Sequence, residues 1–280
     1  MPFDYRNLKE YIKHMIAKDQ TYIVMGLLDP DSIAFAIGQS IERWGGKVIY
    51  TAQSDRIKRI FLDRSKKLSD DEKAALDIRF CDITIAEEVE ALFDGVGTIS
   101  GVVHSIAYGN PKTCLGESFH TDAIDDIKAS FEISCISLAT VARYAAGAMS
   151  DGGAIVAMTF DSQRAFPFYN WMGVNKAALE GTVRALAREH GRSLIRVNAV
   201  SAGPLKTKAA TNIPGFNELA ETWNASSLMP WDTENDRHAV ANAVTYLAGP
   251  YSDKITGQTL YVDGGACIAG GVLLPHERPA

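Results

Sequence analysis

Short runs of β-branched and aliphatic residues alternate along this chain with longer stretches in which apolar side chains recur every three or four positions. The runs are Thr21–Met25 (TYIVM), Lys47–Thr51 (KVIYT), Asp77–Cys81 (DIRFC), Ile99–His104 (ISGVVH), Ala154–Met158 (AIVAM), Ile195–Val200 (IRVNAV) and Gln258–Val262 (QTLYV). Most are continuously apolar, as in parallel strands covered by helices on both faces. After the first run, Ala34, Ile37, Gly38 and Ile41 keep helical spacing, with Asp31 or Ser32 placed to cap the start and Gly45–Gly46 to stop the helix. Alternation of this kind builds right-handed βαβ crossovers. It predicts an α/β, Rossmann-like, doubly wound parallel sheet of about seven strands with helices on both faces. No Pro- or Ser-rich linker and no repeat divides residues 1–280, so they read as a single domain.

Two segments fall outside the alternation. Leu8, Tyr11, Ile12, Met15 and Ile16 keep helical spacing and predict an extra helix within residues 1–19. Residues 270–280, ending LLPHERPA, have no period and read as a loose tail. Residues 54–73 (SDRIKRIFLDRSKKLSDDEK) resemble a basic patch, but acids interleave the bases and Ile57, Ile60 and Phe61 form a stripe. A solvated helix face is the expectation there, not a polyanion site.

Composition narrows the classes. Hydrophobic residues make up 46% and charged residues 22% of 280 positions, as in a globular protein. With 28 Lys+Arg against 34 Asp+Glu, the net charge of −6 offers no general field for nucleic acid or anionic lipid. Charges run through the first twenty residues, and no apolar run approaches the ~18 residues of a membrane span. The expectation is a cytoplasmic protein without a membrane or nucleic-acid partner. Cys81, Cys114, Cys135 and Cys267 form no CxxC pair and the histidines no HxxxH frame, so no metal is expected.

In a doubly wound sheet, ligands sit beyond the carboxyl ends of the strands, where the strand order reverses. The turn after the first strand, MGLLDPDSIAFAIG, lacks GxGxxG but places Gly26 directly after the strand and Ser32–Ile33 at a helix start. Gly26 permits close backbone approach, and the helix N-terminus offers donors to a pyrophosphate. A tight strand–helix junction with a capping serine is the alternative reading of that segment. The second strand ends in Gln53 and Ser54, with Arg56 further on. Neutral Gln53 favours NADH, whereas Arg56 is the feature that would suit NADPH. After the third strand, Asp82 and Ile83 put a carboxylate where an adenine amino group needs an acceptor. After the fourth, His104, Ser105, Ile106, Ala107, Tyr108 and Gly109 let backbone pass near a ribose.

The most informative stretch, MTFDSQRAFPFYNWMGVNKAALEGTVRALARE, follows the fifth strand. Tyr169 and Lys176 lie seven apart, nearly one helix face at ~3.6 residues per turn. A phenol can donate to a developing oxyanion, and a nearby lysine can hold ribose hydroxyls and bias the phenol. Ordinary short-chain dehydrogenases use Tyr-x3-Lys, but the residue four after Tyr169 is Gly173. Tyr5/Lys9 and Tyr108/Lys112 have that spacing, the first before the sheet and the second in the loop after the fourth strand.

Taken in order, Gly26 with Ser32–Ile33, Gln53, Asp82, HSIAYG, YNWMGVNKAALE, RVNAVSAGPLKTKAA and YVDGG resemble the NADH-dependent enoyl-acyl-carrier-protein reductases of the short-chain dehydrogenase/reductase superfamily. The resemblance runs from about residue 20 to 268. It implies a dinucleotide-binding domain, a homotetramer, and reduction of the trans-2 double bond of an enoyl thioester on acyl carrier protein or coenzyme A in fatty acid elongation. It also implies that Tyr169 is the catalytic tyrosine and that Lys176 holds the nicotinamide ribose. Ser105, Ile106, Ala107, Leu205 and Thr207 then touch the cofactor, Tyr108 and Gly109 the substrate, and residues 206–230 form the substrate-binding segment. Many bacterial members carry a second active-site tyrosine upstream; here the region reads Met158-Thr159-Phe160-Asp161. Phe160 resembles the active-site phenylalanine of the subfamily that elongates very long acyl chains toward mycolic acids, although residues 208–230 look short for such a substrate. Plain wall packing is the alternative for Phe160. The competing functions are a ketone or other alkene reductase on this scaffold, and a nucleotide-sensing protein without turnover.

Overall fold

The computed structural model describes residues 15, 16 and 18–272. Seven parallel strands form one sheet: β1 (Thr21–Met25), β2 (Lys47–Ala52), β3 (Ile78–Phe80), β4 (Gly101–His104), β5 (Gly153–Thr159), β6 (Ile195–Ala202) and β7 (Thr259–Val262). Their spatial order is β3-β2-β1-β4-β5-β6-β7, so the chain reverses direction across the sheet between β1 and β4. Met25 pairs with Thr51 on one side and His104 on the other, which brings three strand ends level at that reversal. The helices are α1 (Ile33–Arg43), α2 (Asp55–Phe61), α3 (Asp70–Ala74), α4 (Ala86–Asp94), α5 (Ile124–Phe131), α6 (Ser137–Ala148), α7 (Asn170–His190), α8 (Phe216–Ser226) and α9 (Arg237–Ala248), with a π-helical turn at Glu132–Ile136 joining α5 to α6.

Strand alternation partitions the core. Tyr22, Val24, Val103 and Val156 face Ile37 and Ile41 of α1 and Val240 and Val244 of α9. Ile23, Met25, Val102 and Ile155 face Val89 of α4, Leu138 and Val141 of α6, and Leu179 and Val183 of α7. Central strands are therefore buried on both faces, as their apolar runs predict. The edges are not: Phe80 of β3 and Leu260 of β7, on the two outermost strands of the described sheet, are exposed.

At the start of α1 the cap is Ser32, whose Oγ accepts from the Phe35 N–H at 3.2 Å. Asp31 instead pairs with Lys67 at 2.7 Å and Arg237 at 3.0 Å. Gly38 lets α1 lie on the sheet, since a Cβ there would stand 2.0 Å from Tyr50 Oη. Residues 54–73 fold mainly as α2 and the start of α3, neither with a buried residue. Of the helix expected within residues 1–19, only Met15 and Ile16 of its apolar positions lie among the described residues, and Ile16 is fully buried. Residues 273–280 of the expected tail lie outside the described residues.

Candidate active site

The site grows from the reversal between β1 and β4. Gly26 adopts φ +93°, and a Cβ on it would lie 2.2 Å from the Ser105 carbonyl oxygen. The close approach that glycine permits here is thus between the loops leaving β1 and β4, at the strand-order reversal where doubly wound sheets form their ligand crevice. Ser32 and Ile33 open α1 above it. Asp29 is buried in the same turn, and burial raises its carboxyl pKa while the Lys208 charge opposes that rise. Lys208 so brings the segment after β6 within electrostatic reach of this turn.

At the end of β2, the exposed Gln53 donates through Nε2 to Asp82 Oδ2 at 2.9 Å. Thr84 donates to Asp82 Oδ1 from its N–H at 3.0 Å and its hydroxyl at 2.7 Å. Burial alone would raise the Asp82 carboxyl, but these donors hold it below the usual range. Ile83 is buried beside it, and Arg56 stands exposed on α2. A neutral amide and an ionised carboxylate therefore meet at this corner.

The β4 end is organised by contacts that sequence reasoning missed. His104 is wholly buried, with Nε2 2.8 Å from Ser137 Oγ. Ser137 spends its one proton on the Ile133 carbonyl at 2.7 Å, so Nε2 carries the imidazole proton and donates. Nδ1 has no partner among the described residues. Burial first, then the charge of Lys176, lowers its pKa to about 3, leaving the ring neutral. Beyond it, Ser105 and Ile106 are half-buried and Ala107 and Tyr108 exposed. The backbone of Tyr108 is fixed nonetheless: its N–H donates to Ser134 Oγ at 2.9 Å, and its carbonyl accepts from Ser130 Oγ at 2.7 Å and Ser134 Oγ at 3.0 Å. Asn175 of α7 donates to Ser130 Oγ at 2.7 Å. The π-helical turn around Ser134 helps bring both hydroxyls to one carbonyl; π-bulges of this kind recur at functional sites. Gly109 packs against Met172, whose Cε would stand 3.1 Å from a Cβ.

Between β5 and α7, Tyr169 is the residue immediately before the helix, half-buried, and burial pushes its phenol above the usual range. Its ring lies 4.8 Å from that of Phe160, which also meets Phe166 at 5.0 Å and Trp223 at 5.2 Å. Lys176 is buried and donates from Nζ to the Met158 carbonyl at 2.9 Å. Burial lowers its pKa to about 8, against the opposing influence of Cys135 and Glu180. One turn later, Glu180 accepts from Thr159 Oγ1 at 3.0 Å. Met158, Thr159 and Phe160 are consecutive, so one strand end holds Lys176, Glu180 and the ring of Tyr169 together. After β6, Leu205 is buried and Thr207 Oγ1 accepts from the Ala210 N–H at 3.1 Å. Residues 206–230 then include α8, whose Trp223 donates to the Asp263 carbonyl at 3.0 Å.

The pairs Gly26–Ser105, Gln53–Asp82 and Tyr169–Phe160 thus stand together at the carboxyl edge, with Lys176 on the same β5 end as the last. Arg56 makes none of these contacts. Tyr5 and Lys9 lie outside the described residues. Within the sequence the pointers to these contacts were the places of His104 and Asn175 inside the quoted motifs HSIAYG and YNWMGVNKAALE.

Family comparison decides which enzymes the chain belongs with. The family described as enoyl-(acyl carrier protein) reductase matches residues 26–267. The chain belongs to that family. Among curated relatives of this reductase, the NADH enzyme of Bacillus cereus is 35% identical over 261 residues, covering 91% of this chain and 99% of its own. The Staphylococcus aureus enzyme named for NADPH is 34% identical, covering 89% and 96%. A crystal structure of the Bacillus cereus enzyme with NADP+ and an indole naphthyridinone superposes with a TM-score of 0.80 at 33% identity, covering 91% of the reductase and 99% of that chain. The Anaplasma phagocytophilum enzyme in complex with NAD gives 0.83 at 28% identity, covering 93% and 98%. Fold and family agree with the reading of the motifs.

Proposed function

We propose that this reductase reduces the trans-2 double bond of enoyl thioesters carried on acyl carrier protein, in fatty acid elongation, with NADH preferred to NADPH. The observation that carries the reading is the β5 end, where Phe160 backs the Tyr169 phenol while Met158 holds Lys176, beside the crevice at the β1–β4 reversal. The strand-order reversal suits a dinucleotide, because the turn at Gly26 leads to the N-terminus of α1, whose free N–H groups can face a pyrophosphate. Gly26, Ser32 and Ile33 would hold the pyrophosphate, Gln53, Asp82 and Ile83 the adenosine end, and Ser105, Ile106, Ala107, Lys176, Leu205 and Thr207 the nicotinamide end. When bound, the cofactor supplies the hydride that reaches the β-carbon of the substrate.

Tyr169, with its raised pKa, stays protonated at neutral pH and donates to the thioester oxygen as negative charge develops there. Lys176 offers a cation to ribose hydroxyls. Phe160, read by resemblance as taking the place of a second tyrosine, acts by shape, as in the long-chain subfamily it resembles. Tyr108, Gly109 and residues 206–230 border the substrate. Residues 1–280 would act as one dinucleotide-binding domain in a cytoplasmic homotetramer, without metal, nucleic acid or membrane. No helix among the described residues is long and apolar enough to cross a membrane, and no cluster of His, Cys, Asp or Glu there is suited to a metal.

Crotonyl-thioester-dependent loss of NADH absorbance is the direct test, run beside NADPH at one ionic strength. Turnover with the higher kcat/KM for NADH is expected. Oxidation independent of the thioester, or none, leaves a nucleotide-binding protein; preferential reduction of a ketone makes it a carbonyl reductase; an NADPH advantage overturns the cofactor preference. Lys176 adds a pH dependence. With its pKa near 8, it loses its proton as pH rises through that value, so NADH affinity should fall across that range. His104 is neutral throughout it. Titration of NADH by fluorescence between pH 6.5 and 9.5 should show the fall in the wild type and a weak, flat profile in Lys176→Met. A wild-type profile equally flat would remove Lys176 from the cofactor site.

A further inference from the structure

The loop leading to Tyr169 holds a residue in an unfavourable conformation. Phe168 adopts φ +66°, and Asn170 on the other side of Tyr169 adopts φ +29°. Asparagine tolerates the left-handed region through local hydrogen bonds, whereas a bulky aromatic residue there must be held by its surroundings. Phe168 is held twice. Its carbonyl accepts from the Gly116 N–H at 2.9 Å. Its ring lies over Gly215, itself at φ +75°, where a Cβ would stand 2.4 Å from two ring carbons. A strained phenylalanine and a left-handed glycine from the segment after β6 therefore interlock.

The ring borders a cavity of 80 Å³ whose lining includes Phe166, Phe168, Leu219, Trp223 and, among its polar members, Thr222 and Glu218. Phe166 and Trp223 also flank Phe160, and Phe160 flanks Tyr169, so the cavity is separated from the phenol by a single layer of rings. An apolar cavity of about 150 Å³ takes a benzene ring, so 80 Å³ admits roughly three further carbons.

We infer that Phe168, locked on Gly215, is the stop of the acyl channel and restricts the enzyme to short enoyl thioesters. This rests on the reading of Tyr169 as the group facing the thioester. A tail bound at Tyr169 enters this cavity when the Phe160–Phe166–Trp223 layer parts, and it then meets the Phe168 ring after a few methylenes. The likeness of Phe160 to the long-chain subfamily then concerns the wall beside the nicotinamide, and chain length is decided by the ring at position 168.

The test is a chain-length series: kcat/KM for crotonyl, octenoyl, dodecenoyl and hexadecenoyl thioesters with wild type and Phe168→Asn. Asparagine suits the left-handed backbone and removes the ring, so the turn is kept while the stop is lost. A methylene accepted or refused by an apolar pocket is worth about tenfold or more. The wild type should fall steeply beyond octenoyl, and Phe168→Asn should raise the dodecenoyl-to-crotonyl ratio at least about tenfold. A merely structural role would lower all chain lengths together and leave that ratio unchanged. A wild type that takes dodecenoyl as well as crotonyl, or an unchanged ratio in folded Phe168→Asn, overturns the proposal. Should that variant not fold, Thr222→Phe narrows the cavity from α8 and should lower the octenoyl-to-crotonyl ratio about tenfold, an unchanged ratio being equally fatal. No turnover of any enoyl thioester by the wild type sinks the reductase reading and this proposal with it, a result distinct from a flat chain-length profile.

Discussion

Tyr169→Phe should lower kcat with an enoyl thioester by about 10²–10³-fold while NADH affinity stays unchanged, the size of effect seen when one preorganised oxyanion donor is removed. The ring remains, so its 4.8 Å contact with Phe160 and the start of α7 are preserved. What disappears is the hydroxyl, whose proton is retained at neutral pH because burial raises the phenol pKa. Single-turnover hydride transfer, with NADH binding titrated separately, divides the two effects. Wild-type kcat in the variant would show that the charge on the thioester oxygen is met by another group. Equal losses of kcat and cofactor affinity would show that the hydroxyl organises the nicotinamide end instead.

Gly26→Ala should cost the crevice itself. The added Cβ would fall 2.2 Å from the Ser105 carbonyl oxygen, and the residue would have to keep φ +93°. The obstacle is backbone one residue beyond the β1–β4 register, which runs from Tyr22–Gly101 to Met25–His104, so the paired strand ends limit how far either loop can yield. Left-handed strain of about 1–2 kcal/mol adds to an overpacking penalty of about 1–3 kcal/mol. The expected outcome is a melting temperature lower by several degrees and NADH affinity weaker by at least about tenfold, as a few kcal/mol implies. Calorimetry and NADH titration on the same preparation check both. Normal cofactor affinity in a folded Gly26→Ala variant would mean that the dinucleotide does not use the β1–β4 crevice.

Much of the fold was legible because burial on both faces leaves a coarse trace. Val102, Val103, Ile155 and Val156 had to be apolar whichever way they pointed, and seven such runs separated by helical periods allow few topologies. The candidate site was legible where a motif must occupy nearby positions: Ser32 at a helix start, and Tyr169 and Lys176 about two turns apart after β5. Gln53 and Asp82 were each recognisable at a strand end, but their hydrogen bond was not, because it joins two βα turns that the chain leaves far apart.

Residues whose meaning depends on a distant partner were silent in the sequence. Nothing local marks His104 as neutral; that follows from complete burial and from Ser137 committing its proton to Ile133. Nothing in SFEIS announces that Ser130 and Ser134 both close on the Tyr108 carbonyl, since that needs the π-helical turn and Asn175 of α7. The choice of Ser32 over Asp31 as cap was likewise settled by Lys67 and Arg237 taking the carboxylate. Phe168 reads as one more aromatic in a loop until Gly215 is brought beneath its ring. The sequence by itself determined the sheet, the family and the two side chains proposed for the chemistry, because periodicity and short-range spacing are properties of contiguous residues. The tertiary structure alone decided protonation, backbone strain and the size of the cavity beside Tyr169, because each is set by atoms that only folding brings within a few ångströms.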